Sequence, residues 1–489
     1  MPVSIWQVMT IKKNLFLIAV GLFFILSFVV RLSQLGHSTY YGDETKTLYT
    51  DKTIPAVKFM FDQRKGPVQF MAAWFMETVT GGYDEYWIRL PFAVAGFLSV
   101  VVFFFLAKEF MPNWFALVAS VLYSFNGFNV AFSRTAQYQP FLLLFGLFGV
   151  LLVLYYIKRR KHIWLFSASI MFSLALLSHY DGIFYALAGI LFLAPELKGG
   201  QTPVKNFLIY LVLPILIFAG SFYIPYYLTG YFESNTVNYL SKRFFGSEDY
   251  RPSNSLYTIS IYNPFVLYLL MMFVLSLIVG FKDFKYRNVL YAWFFIPFIL
   301  FELIASNPGT HILHYFVPLY LAAGIGFKVI SDLMRGKAKL VLSILAGLII
   351  LIQVAVSIAI FIPSMRLNYP WSETTLFGVE LEKATKNYQV FLYGFPYDRG
   401  FREARDYLNT LSGVRGIYTN DNSVAAKYYF MKYDFTPTGS NFLPRFYLDV
   451  YDSHEFVTTP QEFLNNYVTE KEFYVDGKLT STLYRLRSL

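Results

Sequence analysis

The sequence predicts a polytopic α-helical membrane protein of about eleven transmembrane helices, with a small C-terminal α/β domain on the outer face. Three observations predict it. Of 489 residues, 56% are hydrophobic and 20% aromatic, while 15% are charged, where a soluble chain carries about a quarter. Apolar runs long enough to cross a bilayer recur as far as residue 362. Beyond Pro363 charges become frequent and the apolar runs shrink. This composition excludes a purely soluble enzyme, a disordered chain and a coiled coil. Cysteine is absent, which removes disulfides, thiolate metal sites and Cys nucleophiles.

The expected spans lie near 14–32, 88–107, 113–132, 140–157, 163–178, 181–196, 207–228, 263–281, 289–305, 312–331 and 339–362. A helix satisfies its own backbone hydrogen bonds, so each run can cross without help from neighbours. The first follows Lys12 and Lys13 and shows no small-residue cleavage site, so it reads as an anchored helix rather than a removed leader. Two long loops face outward, at 33–87 and 229–262. The first contains VQFMAAWFMETV (68–79), too short to span and suited to an interfacial or re-entrant helix. In the C-terminal part, QVFLYG (389–394) and GIYTN (416–420) read as strands. FREARDYLNTL (401–411) and DNSVAAKYYFM (421–431) read as helices, the second with Asp421 as N-cap. No internal repeat is visible, which gives an inverted-repeat transporter no support.

The net charge of +10 is explained by where it falls. With the N-terminus inside, the inner loops carry fifteen basic residues, among them Lys158, Arg159, Arg160 and Lys161. The three short outer loops carry only Arg134. This is the positive-inside pattern of a membrane protein, with no role for nucleic acid. The membrane implied is the cell's inner (plasma) membrane, with the C-terminal domain extracytoplasmic.

Charges beside a bilayer are costly, and here they gather at one face. Arg31, Arg89, Arg134, His179, Asp181, Glu302, His311 and His314 all fall at outward ends of expected spans. YYGDETKTLY (40–49) follows the first span and supplies Tyr41, Asp43 and Glu44. Adjacent acids point in different directions, so one of them faces a given site, where a partly desolvated carboxylate can act as general base. RKGPVQF (64–70) offers Lys65 and Arg64 to a phosphate at the membrane surface. FSRTAQYQP (132–140) adds Gln137 and Tyr138, SHYDG (178–182) adds His179 and Tyr180, and PGTHILHYFVP (308–318) adds His311, His314 and Tyr315. Taken one at a time, each is equally an interface residue among headgroups, and the acidic pair equally a solvated turn. Together they describe a polar site opening outward. Asp43, Glu44, His311 and His314 could be combined around a divalent metal, but the spacing names no clear ligand set, so no cofactor is required. No Walker A loop, GxGxxG or GxSxG element is present.

These elements, in this order, resemble the glycosyltransferase C superfamily, especially protein O-mannosyltransferase-like and lipid A aminoarabinose transferase-like enzymes. The resemblance is carried by the acidic pair after the first span, Lys65-Gly66-Pro67, and Arg89-Leu90-Pro91 at the second span. It continues in Ser133-Arg134-x-Ala136-x-Tyr138, Ser178-His179-Tyr180 and His314-Tyr315-x-x-Pro318-Leu319. It implies a polyprenyl-phosphate monosaccharide donor and inverting transfer on the outer face to a protein hydroxyl, lipid A or an envelope glycan. By the same resemblance Asp43 matches the acid that acts as base or orients the acceptor, with Glu44 its neighbour. Lys65 lies near the phosphate-contacting Lys, although Gly66 separates it from Pro67. Arg89, Arg134 and Tyr315 fall on donor-binding positions. Tyr41, Gln137, Tyr138, His179, Tyr180, His311 and His314 would line the substrate pocket. Where many relatives carry an acidic or Arg/Tyr pattern before the fourth span, this chain has Gln137, Tyr138 and Gln139, which bears on a second carboxylate and hence on a metal. A transporter or flippase of lipid-linked sugars is the alternative; it needs polar groups at the bilayer midplane or at both ends. A scaffold would explain the outer domain but not the acids of the first loop.

Overall fold

In the computed structural model of the protein, residues 5–246, 274–278, 284–305, 311, 313–362, 374–376, 379–381, 398–414, 416–421, 423–435, 443–451, 453 and 457–487 are described. Among them, eight helices are long and apolar enough to cross a membrane: 13–32, 85–108, 139–159, 180–198, 204–228, 287–304, 313–333 and 336–361. A ninth unit is bent by 63° between Asn113–Ser124 and Gly127–Ser133. His162–Ser178 is apolar but shorter, at 17 residues. The span expected at 263–281 lies mostly outside the described residues, as does the strand expected at 389–394.

Helix α1 (Ile5–Leu32) leads into the first long loop, which holds α2 (Gly42–Thr45), α3 (Ala56–Asp62) and α4 (Val68–Thr80). The α4 helix is the element expected at 68–79. It buries Gln69, Phe70 and Ala73 and leaves Met71, Trp74, Phe75 and Val79 exposed, an apolar face suited to the membrane interface. Helix α5 (Glu85–Lys108) starts where Asp84 accepts from the backbone N–H groups of Tyr86 and Trp87, at 3.0 and 3.2 Å. The break between α6 (Asn113–Ser124) and α7 (Gly127–Ser133) frees the Phe125 carbonyl. Gln353 donates to it at 2.7 Å and Ser357 at 2.5 Å, so the distant helix Gly336–Phe361 satisfies what the break leaves open.

Helices α8 (Gln139–Arg159), α9 (His162–Ser178) and α10 (Ile183–Lys198) pack through small residues. A Cβ at Gly149 or Gly189 would lie 2.5 or 2.6 Å from the Phe172 ring, so the bulk of Phe172 is seated by two glycines. At the end of the bundle away from the first loop, Lys158 meets Glu109 at 2.5 Å, Lys285 meets Glu196 at 3.6 Å, and Arg160 pairs with Glu196.

The C-terminal part has a separate pair, β1 (Thr374–Leu376) and β2 (Val379–Leu381), and a four-stranded sheet made, in spatial order, of Ile417–Thr419 (β3), Phe446–Val450 (β4), Lys478–Leu486 (β6) and Tyr467–Val475 (β5). Strands β3 (Ile417–Thr419) and β4 (Phe446–Val450) are parallel. Strands β5 (Tyr467–Val475) and β6 (Lys478–Leu486) form a hairpin, and β6 also pairs antiparallel with β4. The helices expected near 401–411 and 421–431 are Phe401–Thr410 and Ser423–Tyr429, and the strand expected at 416–420 is β3. Asp421 faces the Arg399 guanidinium at 3.5 Å.

This domain shares one hydrophobic core with the first loop: Phe401, Ala425 and Leu448 are buried in the same cluster as Tyr40, Leu48 and Ile88. Polar contacts reinforce the seat. Arg399 donates to Thr39 Oγ1 at 3.1 Å and to the Tyr40 carbonyl, and Arg402 donates to the carbonyls of Gly36 and His37 at 2.7 and 2.5 Å. The Tyr429 hydroxyl accepts from Tyr40 N–H at 2.7 Å and donates to Glu85 at 2.5 Å. The loop carrying Asp43 is therefore held between the bundle and the α/β domain.

Candidate active site

The acidic pair is divided by one turn of helix. Glu44 is fully buried and its two carboxylate oxygens accept four hydrogen bonds. Arg89 Nε donates to Oε1 at 2.8 Å and Arg89 Nη2 to Oε2 at 2.7 Å, while the backbone N–H groups of Ala136 and Tyr41 donate at 2.8 and 2.9 Å. Glu44 thus ties the first loop to α5 and to the segment before α8. Asp43 points the other way, is partly exposed, pairs with Lys46 at 2.6 Å, and lines a cavity of about 420 Å³.

That cavity is also lined by Tyr41, Arg64, Lys65, Gln137, Tyr138, His179, Tyr180, Tyr239, Arg243 and His311. Its charged groups are four cations, Lys46, Arg64, Lys65 and Arg243, against Asp43 and Asp62. Gly66 explains how Lys65 gets there. A Cβ at Gly66 would lie 1.8 Å from the Leu177 carbonyl oxygen, so only glycine lets this loop press against the end of α9. Lys65 then sits 5.2 Å from the centroid of the Tyr138 ring, and Tyr138 stacks on His179 with centroids 4.0 Å apart. Desolvation in this wall pushes the Lys65 ammonium down to about 8, which the nearby Asp43 carboxylate partly offsets. Arg64 and Arg243 flank the Tyr239 ring at 4.1 and 4.8 Å. The Tyr180 hydroxyl and the Gln137 amide nitrogen are buried with no hydrogen-bond partner among the described residues. Both residues line the cavity, as groups awaiting a ligand would.

Three residues expected at the donor are used elsewhere. Arg89 spends its guanidinium on Glu44 and on the carbonyls of Leu35, Ser38 and Thr39, at 2.8, 2.8 and 3.1 Å. Arg134 donates to the carbonyls of Val30 and Ser33, both at 2.9 Å, and so covers the exposed C-terminal end of α1. Tyr315 is buried and donates to Glu302 at 2.5 Å. Glu44 is likewise turned from the cavity, so Asp43, Glu44, His311 and His314 do not assemble around one point. Instead His179, His311 and His314 surround Asp181, a residue the sequence placed at the outward face without giving it a role. Sequence reasoning missed Tyr239 and Arg243. Their i, i+4 spacing on the short helix Asn238–Phe245 puts both on one face, a signal that was present in the long second outer loop.

A second, apolar cavity of about 210 Å³ adjoins the first, sharing Tyr180, Arg243 and His311 with it. Phe184, Leu240, Phe244, Leu300 and Phe301 make up much of its wall. A polar, net-cationic chamber next to a greasy one is the shape required by a molecule with an anionic head and a hydrocarbon tail.

Comparison with known proteins places the fold. Residues 64–224 match the family described as dolichyl-phosphate-mannose-protein mannosyltransferase. The fold is similar to crystal structures of ArnT from Cupriavidus metallidurans. For the undecaprenyl phosphate-bound form the TM-score is 0.56 at 12% identity, over 96% of this chain and 98% of that one. For the apo form it is 0.54, again at 12% identity, over 97% and 98%. No curated protein sequence matches significantly. At 12% identity this likeness is one of fold, over nearly the whole length of both chains, and the family match covers 161 of the 489 residues.

Proposed function

We propose that the protein is an integral membrane glycosyltransferase that moves a monosaccharide from a polyprenyl-phosphate donor to a hydroxyl or similar nucleophile of a protein, lipid A or envelope glycan. The observation that carries this reading is the cationic cavity walled by Lys65 and Arg243, with one carboxylate, Asp43, and an apolar cavity beside it. Lys65, Arg64 and Arg243 hold the donor phosphate and absorb the charge that grows on it as the bond breaks. Asp43 takes the acceptor proton, the acceptor oxygen bonds to the sugar anomeric carbon, and the carbon–oxygen bond to phosphate breaks with its electron pair leaving on the phosphate. In-line attack inverts the anomeric centre. No residue of this set has to form a covalent intermediate, and a phosphate monoester is a fair leaving group, so placement and charge do most of the work. The direct test is sugar transfer from a synthetic polyprenyl-phosphate donor by the purified protein in detergent, with loss of the donor and a new glycosidic product as the expected result.

Lys65 gives the reading a binding test. A desolvated, charge-assisted contact is worth about 1.5–3 kcal/mol, so Lys65→Met should weaken polyprenyl phosphate binding tenfold or more. Desolvation holds the ammonium's pKa down to about 8. Affinity should therefore be full below that pH and fall as pH rises through it, because the neutral amine loses its hold on the anion. Lys65→Arg should remove this pH dependence, since guanidinium stays charged. Isothermal titration between pH 6.5 and 9.5 reads both effects, and a flat profile in the wild type would remove Lys65 from the phosphate site.

The site is proposed to face outward across the cell membrane. Basic residues lie at the opposite end of the bundle, including Lys108, Lys158, Arg159, Lys161 and Lys198. Alkaline phosphatase fused after residue 363 should be active, and a cytoplasmic reporter at the same junction silent. The reverse pattern would overturn the orientation.

A further inference from the structure

In the wall between the two cavities, three imidazoles converge on one carboxylate oxygen. Asp181 Oδ2 lies 2.8 Å from His314 Nε2 and 3.3 Å from His179 Nδ1, and it touches His311 Nδ1. All four residues are at least 96% buried. The ligand atoms of His179, Asp181 and His311 lie within 4.8 Å of one another. A tetrahedral zinc with bonds of about 2.0–2.1 Å places its ligand atoms ~3.4 Å apart, so the Asp181 oxygen would draw back from the three nitrogens that now crowd it, and His314, outside this group of three but 2.8 Å from Asp181 Oδ2, would swing in as the fourth ligand.

Each side chain is held where it is. The Phe301 ring stacks on His311, with centroids 5.6 Å apart, and Tyr138 on His179. His314 has its other nitrogen, Nδ1, 3.4 Å from the Tyr185 hydroxyl, the outer partner that fixes which nitrogen of a ligating histidine faces the metal. Asp181 sits in the turn Tyr180–Gly182, where a Cβ at Gly182 would lie 2.5 Å from the Leu176 nitrogen, so the turn cannot relax outward with any other residue.

The polar contacts of the cluster leave room for a cation. His179 Nδ1 lies 3.2 Å from the Asp181 backbone N–H, from which it accepts as a neutral ring, and 3.3 Å from the Asp181 carboxylate, to which it donates when that nitrogen carries the proton. A cation between them would be held by both atoms at once, and the three imidazoles around one buried carboxylate are the donor set such an ion needs. The long backbone bond is readily surrendered to a metal.

We propose that His179, Asp181, His311 and His314 form a binding site for a first-row divalent metal, with zinc the best fit to three imidazoles and one carboxylate. The ion would pin the turn after α9 to the start of the helix Leu313–Leu333, at the seam between the polar and apolar cavities. This assignment does not depend on the sugar-transfer reading, and its test does not measure transfer. Full-length protein in detergent is stripped with chelator and titrated with zinc chloride against a chromophoric competitor, with metal content read by mass spectrometry. One zinc per chain is expected. His311→Gln, His314→Gln and Asp181→Asn should each weaken it a hundredfold or more, and Tyr185→Phe about tenfold, in keeping with the effect of outer-shell partners. Zinc should raise the melting midpoint of the wild type and leave those of the ligand variants unmoved, a readout that holds even if a variant starts less stable. A wild type that binds no zinc at micromolar excess, or binding that survives both histidine changes, overturns the site and leaves a proton-sharing network in its place.

Discussion

Replacing Asp43 with Asn is expected to lower sugar-transfer turnover by about 10²–10⁴ while polyprenyl phosphate still binds, because the amide keeps the size of the carboxylate but cannot take the acceptor proton. The geometry makes this a clean substitution. Asp43 sits on the cavity wall, is partly exposed, and pairs with Lys46, itself exposed, and an ion pair at such exposure contributes little to the fold. The measurement is single-turnover transfer by purified protein at saturating donor, alongside a binding titration with the free lipid phosphate. Near wild-type transfer in Asp43→Asn would end its assignment as base. A loss of binding equal to the loss of transfer would instead make it a group that shapes the phosphate site through Lys46 and Lys65.

What the sequence made legible follows the range of the physics involved. Apolar runs report burial in a bilayer locally, so the helices at 85–108, 139–159 and 313–333 could be read without knowing their neighbours. The interfacial helix α4 and the helix Phe401–Thr410 were equally local. Long-range partners were not. Arg89, Arg134 and Lys65 look alike in a sequence, as basic residues at one end of the bundle. What separates them is that Arg134 meets carbonyls about a hundred positions away and Arg89 a carboxylate 45 positions away, while Lys65 faces a cavity. Asp181 was hidden for the same reason, since its three histidines come from two segments that only the folded bundle brings together. The β5–β6 hairpin is a different case. Asp476 and Gly477 both take positive φ, 51° and 77°, as a two-residue Asp-Gly turn requires, a signal carried entirely by two adjacent residues.

Breaking the Glu44–Arg89 pair is expected to cost about 3–5 kcal/mol of stability, the usual penalty for leaving one buried charge without its partner. Both side chains are almost wholly buried, at 1% and 2% exposure. In Glu44→Gln the new amide group would turn its N–H donors toward Arg89 and a backbone N–H, so one side of the constellation sets donors against donors. Arg89→Met would leave the carboxylate with two backbone N–H groups and strip the carbonyls of Leu35, Ser38 and Thr39 of their common donor. Either change should loosen the first loop, so transfer falls because Asp43 is no longer held, not because a reacting group is gone. Thermal unfolding in detergent separates the two causes. The double variant Glu44→Gln/Arg89→Met should be less destabilised than the sum of the singles, because the second change removes the charge that the first left unpaired. Glu44→Gln with an unchanged melting midpoint and abolished transfer would show that Glu44, not Asp43, handles the acceptor proton.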